Sequence, residues 1–206
     1  MTATDQPHTR HLVLDPAAQD VLFREARTAN TFTDEPVTDE QIEAIHELVK
    51  WAPTSFNQQP LRIVLVRTAE ARERLAGHMY NDNAAKTRKA PLTAILAADT
   101  DFHEHLPTQF PAFPQAKDMF YSDAGVREES AKLNAALQTG YFILGVRAAG
   151  LAAGPMTGFD AGAVEKDFLP DGRQRVLAVV NIGRPGPDAW YPRGPRLGYE
   201  QVVTTV

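Results

Sequence analysis

The chain has 206 residues, of which 43% are hydrophobic and 23% charged, and its formal net charge is -5. This is the composition of a folded globular protein, and its slight acidity argues against a general nucleic-acid binder. The absence of cysteine excludes disulfide scaffolds, thiol nucleophiles and cysteine zinc sites. No run approaches the ~20 apolar residues that span a bilayer, and the polar N-terminus lacks a secretory signal. We therefore expect a cytoplasmic protein that does not bind membranes.

Helix and strand signals alternate along the chain. We expect a flexible tail over residues 1–14 and a single domain over residues 15–206. Asp15 and Pro16 favour a helix start, and Thr38 to Gln41 match a capping box that opens a second helix. Charged amphipathic patterns predict short helices at 69–79 and 82–89. Apolar runs predict three strands, at 61–66, 92–98 and 175–182.

Residues 126–150 give the strongest helix signal. Many small residues in it favour close packing on another helix. The proline-rich connection over 99–122 reads as a lid or substrate loop, and residues 183–198 cannot be regular. Strands interleaved with helices predict an α/β or α+β sheet covered by helices. The apolar stripe of the long helix consists of Leu133, Leu137, Tyr141, Leu144 and Ala148.

Several common catalytic patterns are absent from the sequence. There is no G-x-S-x-G elbow, no P-loop and no G-x-G-x-x-G. His103 and His105 are the only close histidine pair, and we weigh a metal site there against a solvated loop. Asp99 and Asp101 flank a strand end, where a carboxylate serves catalysis or a turn. These alternatives remain open at this point.

Three other segments combine polar groups with glycine or proline. The run from Ala52 to Pro60 crowds amides and hydroxyls before a strand, so it either caps the local backbone or faces a planar polar ring. Gly154 to Phe159 reads as a turn whose glycines allow close approach to a ligand. Arg193 and Arg196 suit a phosphate or a solvated basic loop.

In combination, these segments resemble the nitroreductase family of FMN-dependent oxidoreductases from about residue 20 to residue 204. The markers are R-[ST]-x-x-x-F at Arg27, A-P-[ST]-S-x-N-x-Q-P at Ala52, N-x-x-K at Asn83, G-P-x-x-G-F at Gly154, and R-L at Arg196. The second motif is the most specific. The chain is most similar to the branch named for malonic semialdehyde reduction.

The resemblance implies an α+β fold with a mixed central sheet flanked by helices, in an intertwined homodimer. It implies two FMN sites at the subunit interface, each lined by both chains, with NADH or NADPH as reductant. The implied reaction is ping-pong hydride transfer through flavin N5 to a small carbonyl, nitro or quinone substrate. Because the flavin carries the chemistry, we expect binding residues and neither a catalytic triad nor a metal.

The family's functional residues are carried over position by position. Thr28 stands for the usual serine, Asn30 stands where many members have a basic residue, and Thr157 replaces a common glutamate. Residues 53–57 match a loop that typically serves the partner's site. The implied cofactor-binding residues are Arg27, Thr28, Asn30, Pro53, Thr54, Ser55, Asn57, Asn83, Lys86, Met156, Thr157, Gly158, Arg193 and Arg196.

Substrate selection is assigned to the aromatic residues of the 99–125 connection. We expect Phe110, Phe113, Phe120 and Tyr121 to cover the open face of the flavin. A rival hypothesis is a protein of the same fold that sequesters a ligand without turnover. A third is a flavin-independent metal site on His103 and His105.

Overall fold

The computed structural model describes residues 11–206. Residues 1–10 of the expected tail lie outside the described residues, and residues 11–14 are exposed. Helix α1, Pro16–Gln19, is capped by Asp15 and continues as a π-helical turn, Asp20–Arg24. The first helix, which we expect to run to about Arg27, therefore ends three residues earlier, at Arg24. The division into a tail and one domain over 15–206 stays a prediction.

Four strands form one sheet in the order β1-β2-β4-β3. All three pairings are antiparallel, so the α+β class is confirmed but the expected mixed sheet is corrected to an antiparallel one for this chain. Helices between strands do not require a parallel crossover. Between the antiparallel strands β1 and β2 the chain forms two helices that pack together, α3, Ala69–Gly77, and α4, Asp82–Lys89. The strands are β1, Leu61–Val66; β2, Leu92–Asp99; β3, Ala152–Met156; and β4, Gln174–Gly183.

Strand β3 lies where we expected a turn. Its sequence, Ala-Ala-Gly-Pro-Met, has small residues and a proline and therefore lacks the β-branched pattern of a strand. Pro155 is tolerated because β3 is an edge strand that pairs with β4 alone. A Cβ on Gly154 would lie 2.6 Å from the Ala29 carbonyl oxygen, so this glycine admits close approach of the chain's own backbone.

Helices cover both faces of the sheet. On one face of central strand β2, Leu92, Ala94 and Leu96 pack in a cluster with residues of α2, Asp39–Val49, and α7, Ala124–Ala148. Ile95 packs in a second cluster with residues of α3 and of α8, Ala161–Phe168. All eight β2 residues are buried. The remaining helices are α5, Leu106–Gln109; α6, Ala116–Phe120; and α9, Tyr199–Val202.

Helix α7 is apolar on more than its core side. Asp123 caps its start, so the helix begins at Ala124, two residues before the expected start at 126. Gly150 adopts a positive φ of 72° just past its end. Its core side includes Phe142 and Val146. The apolar row of α7, by which we mean Leu133, Leu137 and Tyr141, is instead 66%, 50% and 43% exposed.

The connection after β2 is folded. It contains a 3-10 turn, Phe102–His105, followed by α5 and α6. Phe102, Leu106 and Ala116 are completely buried in one cluster, so this segment packs against the body of the fold. Across residues 11–206, no helix has the length and apolarity needed to cross a membrane.

Candidate flavin site

Two adjoining cavities form a continuous groove beside β3. The first, the ring end, has a volume of about 290 Å³ and is lined by Asn83, Lys86 and residues 154–158. The second, the cationic end, has a volume of about 230 Å³ and is lined by Arg27, Arg193 and Arg196 with their neighbours. Thr28 and Asn30 line both cavities. The groove therefore joins a polar cavity to a positively charged one.

Backbone packing shapes the ring end. The Ala29 amide donates to the Ala153 carbonyl over 3.1 Å, which lays residues 28–30 along β3. Asn83 Nδ2 donates to the Gly158 carbonyl at 3.1 Å, and a Cβ on Gly158 would lie 2.7 Å from that nitrogen. Only glycine therefore fits at position 158 without moving Asn83. Residues 156–158 line the cavity.

Lys86 brings a positive charge to the ring end. Its Nζ donates to Asn30 Oδ1 at 2.8 Å and lies 6.0 Å from the centre of the Tyr191 ring. The amide of Asn30 in turn faces the Ala189 carbonyl through Nδ2 at 3.4 Å. The neutral residue at position 30 is thus paired with an ammonium group from α4.

The cationic end has more arginines than acids. Arg193 donates to the Ala26 carbonyl at 3.2 Å, and Arg196 donates to the Gly194 and Pro195 carbonyls at 3.0 Å each. Neither has a carboxylate partner among residues 11–206, whereas Arg27 lies 4.0 Å from Glu25. Burial and then the charge of Arg193 lower the pKa of nearby Arg147. This surplus charge suits a phosphate group.

Residues 53–60, which precede β1 and which we call the 53–60 loop, contain four predicted cofactor-binding residues. These four do not line the groove of their own chain. Pro53, Ser55 and Asn57 are exposed, and Thr54 Oγ1 accepts a hydrogen bond from the Gln59 amide at 3.2 Å. Gln58 is buried against α7. The local-capping interpretation therefore holds for Thr54, and a role of this run against a planar ring stays a prediction.

The four predicted substrate residues pack around Phe56, away from the groove. Its ring centre lies 5.4 Å from that of Phe110, 5.5 Å from that of Phe120 and 6.3 Å from that of Tyr121. Phe113 contacts the same cluster. Tyr121 is 5% exposed and Phe120 is 45% exposed, so Phe120 presents more surface to a ligand. Their role in substrate selection stays a prediction.

Contacts describe the surroundings of Asp99 and His103. Asp99 pairs with Arg62 at 2.9 Å and accepts from the Asp101 amide at 2.9 Å, so it is a structural residue of the strand end. His103 lies beside Glu104 and is mostly buried, and burial lowers its pKa. Within residues 11–206, no group of three or more histidine, cysteine or acidic residues is arranged to hold a metal.

Sequence reasoning missed several residues of this region. Tyr191 lines the cationic end, and nothing in its proline-rich surroundings signalled it. Asn134 contacts the 53–60 loop, and Gln138 contacts Leu61 directly after it. Two amides four residues apart in a small-residue helix are a signal that the sequence did contain, since that spacing places them on one face.

Comparison with known proteins agrees with this geometry. The profile of the nitroreductase family matches residues 23–184. A Streptomyces griseus protein, provisionally named NADH dehydrogenase/NAD(P)H nitroreductase, is 68% identical over 195 residues, covering 95% of this chain and 99% of its own length.

Solved structures share the fold. A provisionally named nitroreductase of Bacillus subtilis superimposes with a TM-score of 0.84 at 25% identity, over 92% of this chain and 99% of its own. A provisionally named nitroreductase of Exiguobacterium sibiricum, solved in complex with FMN, gives a TM-score of 0.81 at 19% identity, over 91% and 96% of the two chains. The chain therefore belongs to the nitroreductase family.

Proposed function

We propose that this protein is an FMN-dependent NAD(P)H oxidoreductase. The observation that carries the proposal is the continuous groove in which a polar slot at Asn83, Lys86 and Gly158 leads directly to Arg193 and Arg196. FMN has this same order of parts, a polar ring followed by a phosphate. The FMN complex of the Exiguobacterium protein and the name of the Streptomyces relative support the choice of cofactor and reductant.

The residues of the groove fit FMN. Arg196 and Arg193 would hold the phosphate, with Arg27 and Thr28 beside them. Asn30, Asn83 and Lys86 would face the pyrimidine edge and ribityl chain, and the backbone of Met156, Thr157 and Gly158 would approach the middle ring. The missing carboxylate partners of Arg193 and Arg196 among the described residues support an anionic ligand, because a bound phosphate would balance their charge.

A homodimer would complete the site. The groove lacks the 53–60 loop, and that loop exposes Ser55 and Asn57 elsewhere on the same chain. The apolar row of α7 is exposed as well, and soluble proteins generally cover such a surface. Pairing two chains through α7 would bury this row and would bring the loop of one subunit to the groove of the other.

When bound, FMN would supply hydride chemistry between NAD(P)H and an oxidised substrate. The protein's own groups orient and stabilise rather than react. Lys86, held by Asn30, would bring positive charge to the pyrimidine edge and would favour negative charge on the ring. With the chemistry supplied by the flavin, the proposed site needs no side-chain nucleophile or general base.

The substrate we propose is a small carbonyl compound of the malonic semialdehyde type, or a nitro or quinone compound. Rates per flavin would be compared for 3-oxopropanoate, nitrofurazone, a quinone and an enone, each with NADH and NADPH. A marked preference for 3-oxopropanoate supports the first class. Equal or slower turnover of it than of nitrofurazone and the quinone would contradict that class.

The rival hypothesis, a ligand-sequestering protein, is tested in the same material. The purified protein should be yellow, and NADH or NADPH should bleach its absorbance near the flavin maximum without added substrate. A colourless protein that takes up no FMN would contradict our proposal. A cytoplasmic location also stays a prediction, which cell fractionation with an antibody to the chain would test.

A further inference from the structure

Helix α7 carries a polar row directed at the 53–60 loop. The row consists of Ser130, Asn134 and Gln138, spaced four residues apart and therefore on one face of the helix. Asn134 is 4% exposed and Gln138 is 8% exposed. Buried amides are costly unless they are hydrogen-bonded, so their partners indicate what they do.

Two members of the row bond to the loop, and the third bonds to the strand residue directly after it. Asn134 Oδ1 accepts from the Ser55 amide at 2.8 Å, and Ser130 Oγ pairs with the Gln58 side chain at 3.2 and 3.3 Å. Gln138 Oε1 accepts from the amide of Leu61, the first residue of β1, at 3.0 Å. The row therefore holds the loop at two points and holds the strand start at which the loop ends.

The row itself is held in place. Asn134 Nδ2 donates to the Ser130 carbonyl one helical turn earlier, at 2.9 Å. That bond fixes the orientation of the amide, so that its oxygen faces the loop. Gln58 is 1% exposed, which leaves its side chain no room to exchange Ser130 for water.

The loop needs this support because its backbone is strained. Phe56, Asn57 and Gln59 adopt positive φ values of 50°, 51° and 43°. A bulky residue such as Phe56 seldom adopts this conformation, which persists only where the surroundings over-determine it. On the outer side, the Phe56 ring packs between Phe110 and Phe120. The strain places Ser55 and Asn57 on the exposed side while Gln58 faces α7.

We infer that Asn134 and Gln138 are positioning residues for the flavin site of the partner subunit, acting through the 53–60 loop. The inference rests on the proposed function, because it assumes that this loop contacts FMN. Their row is adjacent on α7 to the apolar row that we assign to the dimer interface. One helix would then fix both the partner and the loop that the partner's groove requires.

The first test uses Gln138→Met, Gln138→Glu and Asn134→Leu in the full chain. Met removes the acceptor for the Leu61 amide, whereas Glu retains a carboxyl oxygen there. Val146→Ala, at a fully buried core position on the same helix, is the control for general destabilisation. FMN is titrated into flavin-free protein by fluorescence, and hydrogen exchange is measured at the Ser55 and Leu61 amides.

We expect Gln138→Met and Asn134→Leu to raise the Kd for FMN by about ten-fold or more. The Leu61 amide should lose protection from hydrogen exchange in Gln138→Met, and the Ser55 amide should lose it in Asn134→Leu. Val146→Ala and Gln138→Glu should keep both the Kd and the protection of the wild type. If Asn134→Leu does not fold, the comparison of Gln138→Met with Gln138→Glu tests the inference. Loss of loop protection with an unchanged Kd would overturn the inference, as would an equal rise in Val146→Ala.

A second test asks which subunit the loop serves. Arg196→Ala and Asn134→Leu chains are co-expressed with different tags, and the heterodimer is isolated. If the loop serves the partner, the groove of the Arg196→Ala chain receives the altered loop and carries both defects. The groove of the Asn134→Leu chain keeps Arg196 and receives an intact loop, so the heterodimer should have one tight FMN site. Only weak sites in the heterodimer would overturn the inference. Wild-type protein that binds no FMN would instead overturn the proposed function, while hydrogen exchange would still show whether the row holds the loop.

Discussion

Single side chains set the charge along the groove. Lys86 and Asn30 pair at 2.8 Å at the ring end. At the other end, Arg193 and Arg196 bind only backbone carbonyls among residues 11–206. Cations without an acidic partner are free to bind an anion, whereas an ion pair would first have to be broken. The affinity for FMN should therefore depend mainly on the arginines, and the redox potential mainly on Lys86 and its neighbour.

Arg196→Ala should weaken FMN binding by roughly 2–4 kcal/mol, because a guanidinium group on a desolvated phosphate forms strong, charge-assisted hydrogen bonds. Fluorescence titration of flavin-free protein measures the Kd. Arg88→Ala is the control, since Arg88 pairs with Glu73 on the exposed side of α4. An unchanged Kd in Arg196→Ala would refute the phosphate assignment.

Asn30→Lys should raise the midpoint potential of the bound flavin by on the order of 30 mV, equivalent to about 1.4 kcal/mol for a two-electron couple. A second ammonium near the pyrimidine edge would stabilise negative charge on the reduced ring. Spectroelectrochemical titration checks this, with Asn30→Gln as the neutral control. A midpoint that does not rise would show that residue 30 has no electrostatic influence on the flavin.

At the scale of elements, α7 and β3 explain why sequence reasoning succeeded in some places and failed in others. The strands at 61–66 and 92–98 were predictable because β-branched and apolar runs need no tertiary context. Strand β3 was not predictable, because Gly154 and Pro155 are poor strand formers and only pairing with β4 makes them extended. The predicted close approach of this motif to a ligand stays a prediction.

Helix α7 was predictable as a helix, but its separate faces were not. The apolar row at Leu133, Leu137 and Tyr141 has helical spacing, and the sequence cannot say whether such a row packs inside the chain or on a partner. Sequence also cannot show that the polar run 53–60 bonds to Asn134, 79 residues away. Contacts of that separation depend on how the helix docks on the sheet.

Close packing of α7 on α2 gives a prediction at this scale. Gly145→Ala should destabilise the fold by about 1–3 kcal/mol, because overpacking a filled core costs that much. The added methyl would collide with Val49 and lie 3.1 Å from Ile45 Cγ2. Urea unfolding of flavin-free protein measures the change.

Gly77→Ala is the matched control. Gly77 lies in the last turn of α3, with nothing within 4 Å of an added Cβ. Alanine is a better helix former, so this change should be neutral or stabilising by up to about 1 kcal/mol. Equal effects in both variants would contradict the packing account of Gly145.

For the whole molecule, the proposed homodimer would involve both the groove and the exposed apolar row of α7. The cations and the ring end line adjoining cavities, whereas the 53–60 loop, which exposes Ser55 and Asn57, does not line them in the same chain. Family membership is shown by the profile match and by the relative at 68% identity. Dimerisation is the step that would turn two incomplete grooves into two complete sites.

Leu137→Asp should shift the protein toward monomer, since a charge would be buried at the interface without a partner. Sedimentation velocity at several concentrations measures the assembly. Val13→Asp is the control, because Val13 is an exposed apolar residue outside α7. If Leu137→Asp remains as dimeric as wild type, the apolar row of α7 is not the interface.

The central claim is that FMN is bound between two copies of this chain. Native mass spectrometry of the purified wild-type protein, with FMN added in excess and then removed by desalting, tests it most directly. The account predicts one dominant species containing two chains and two FMN molecules. A single chain that retains FMN, or a dimer that retains none, would contradict it.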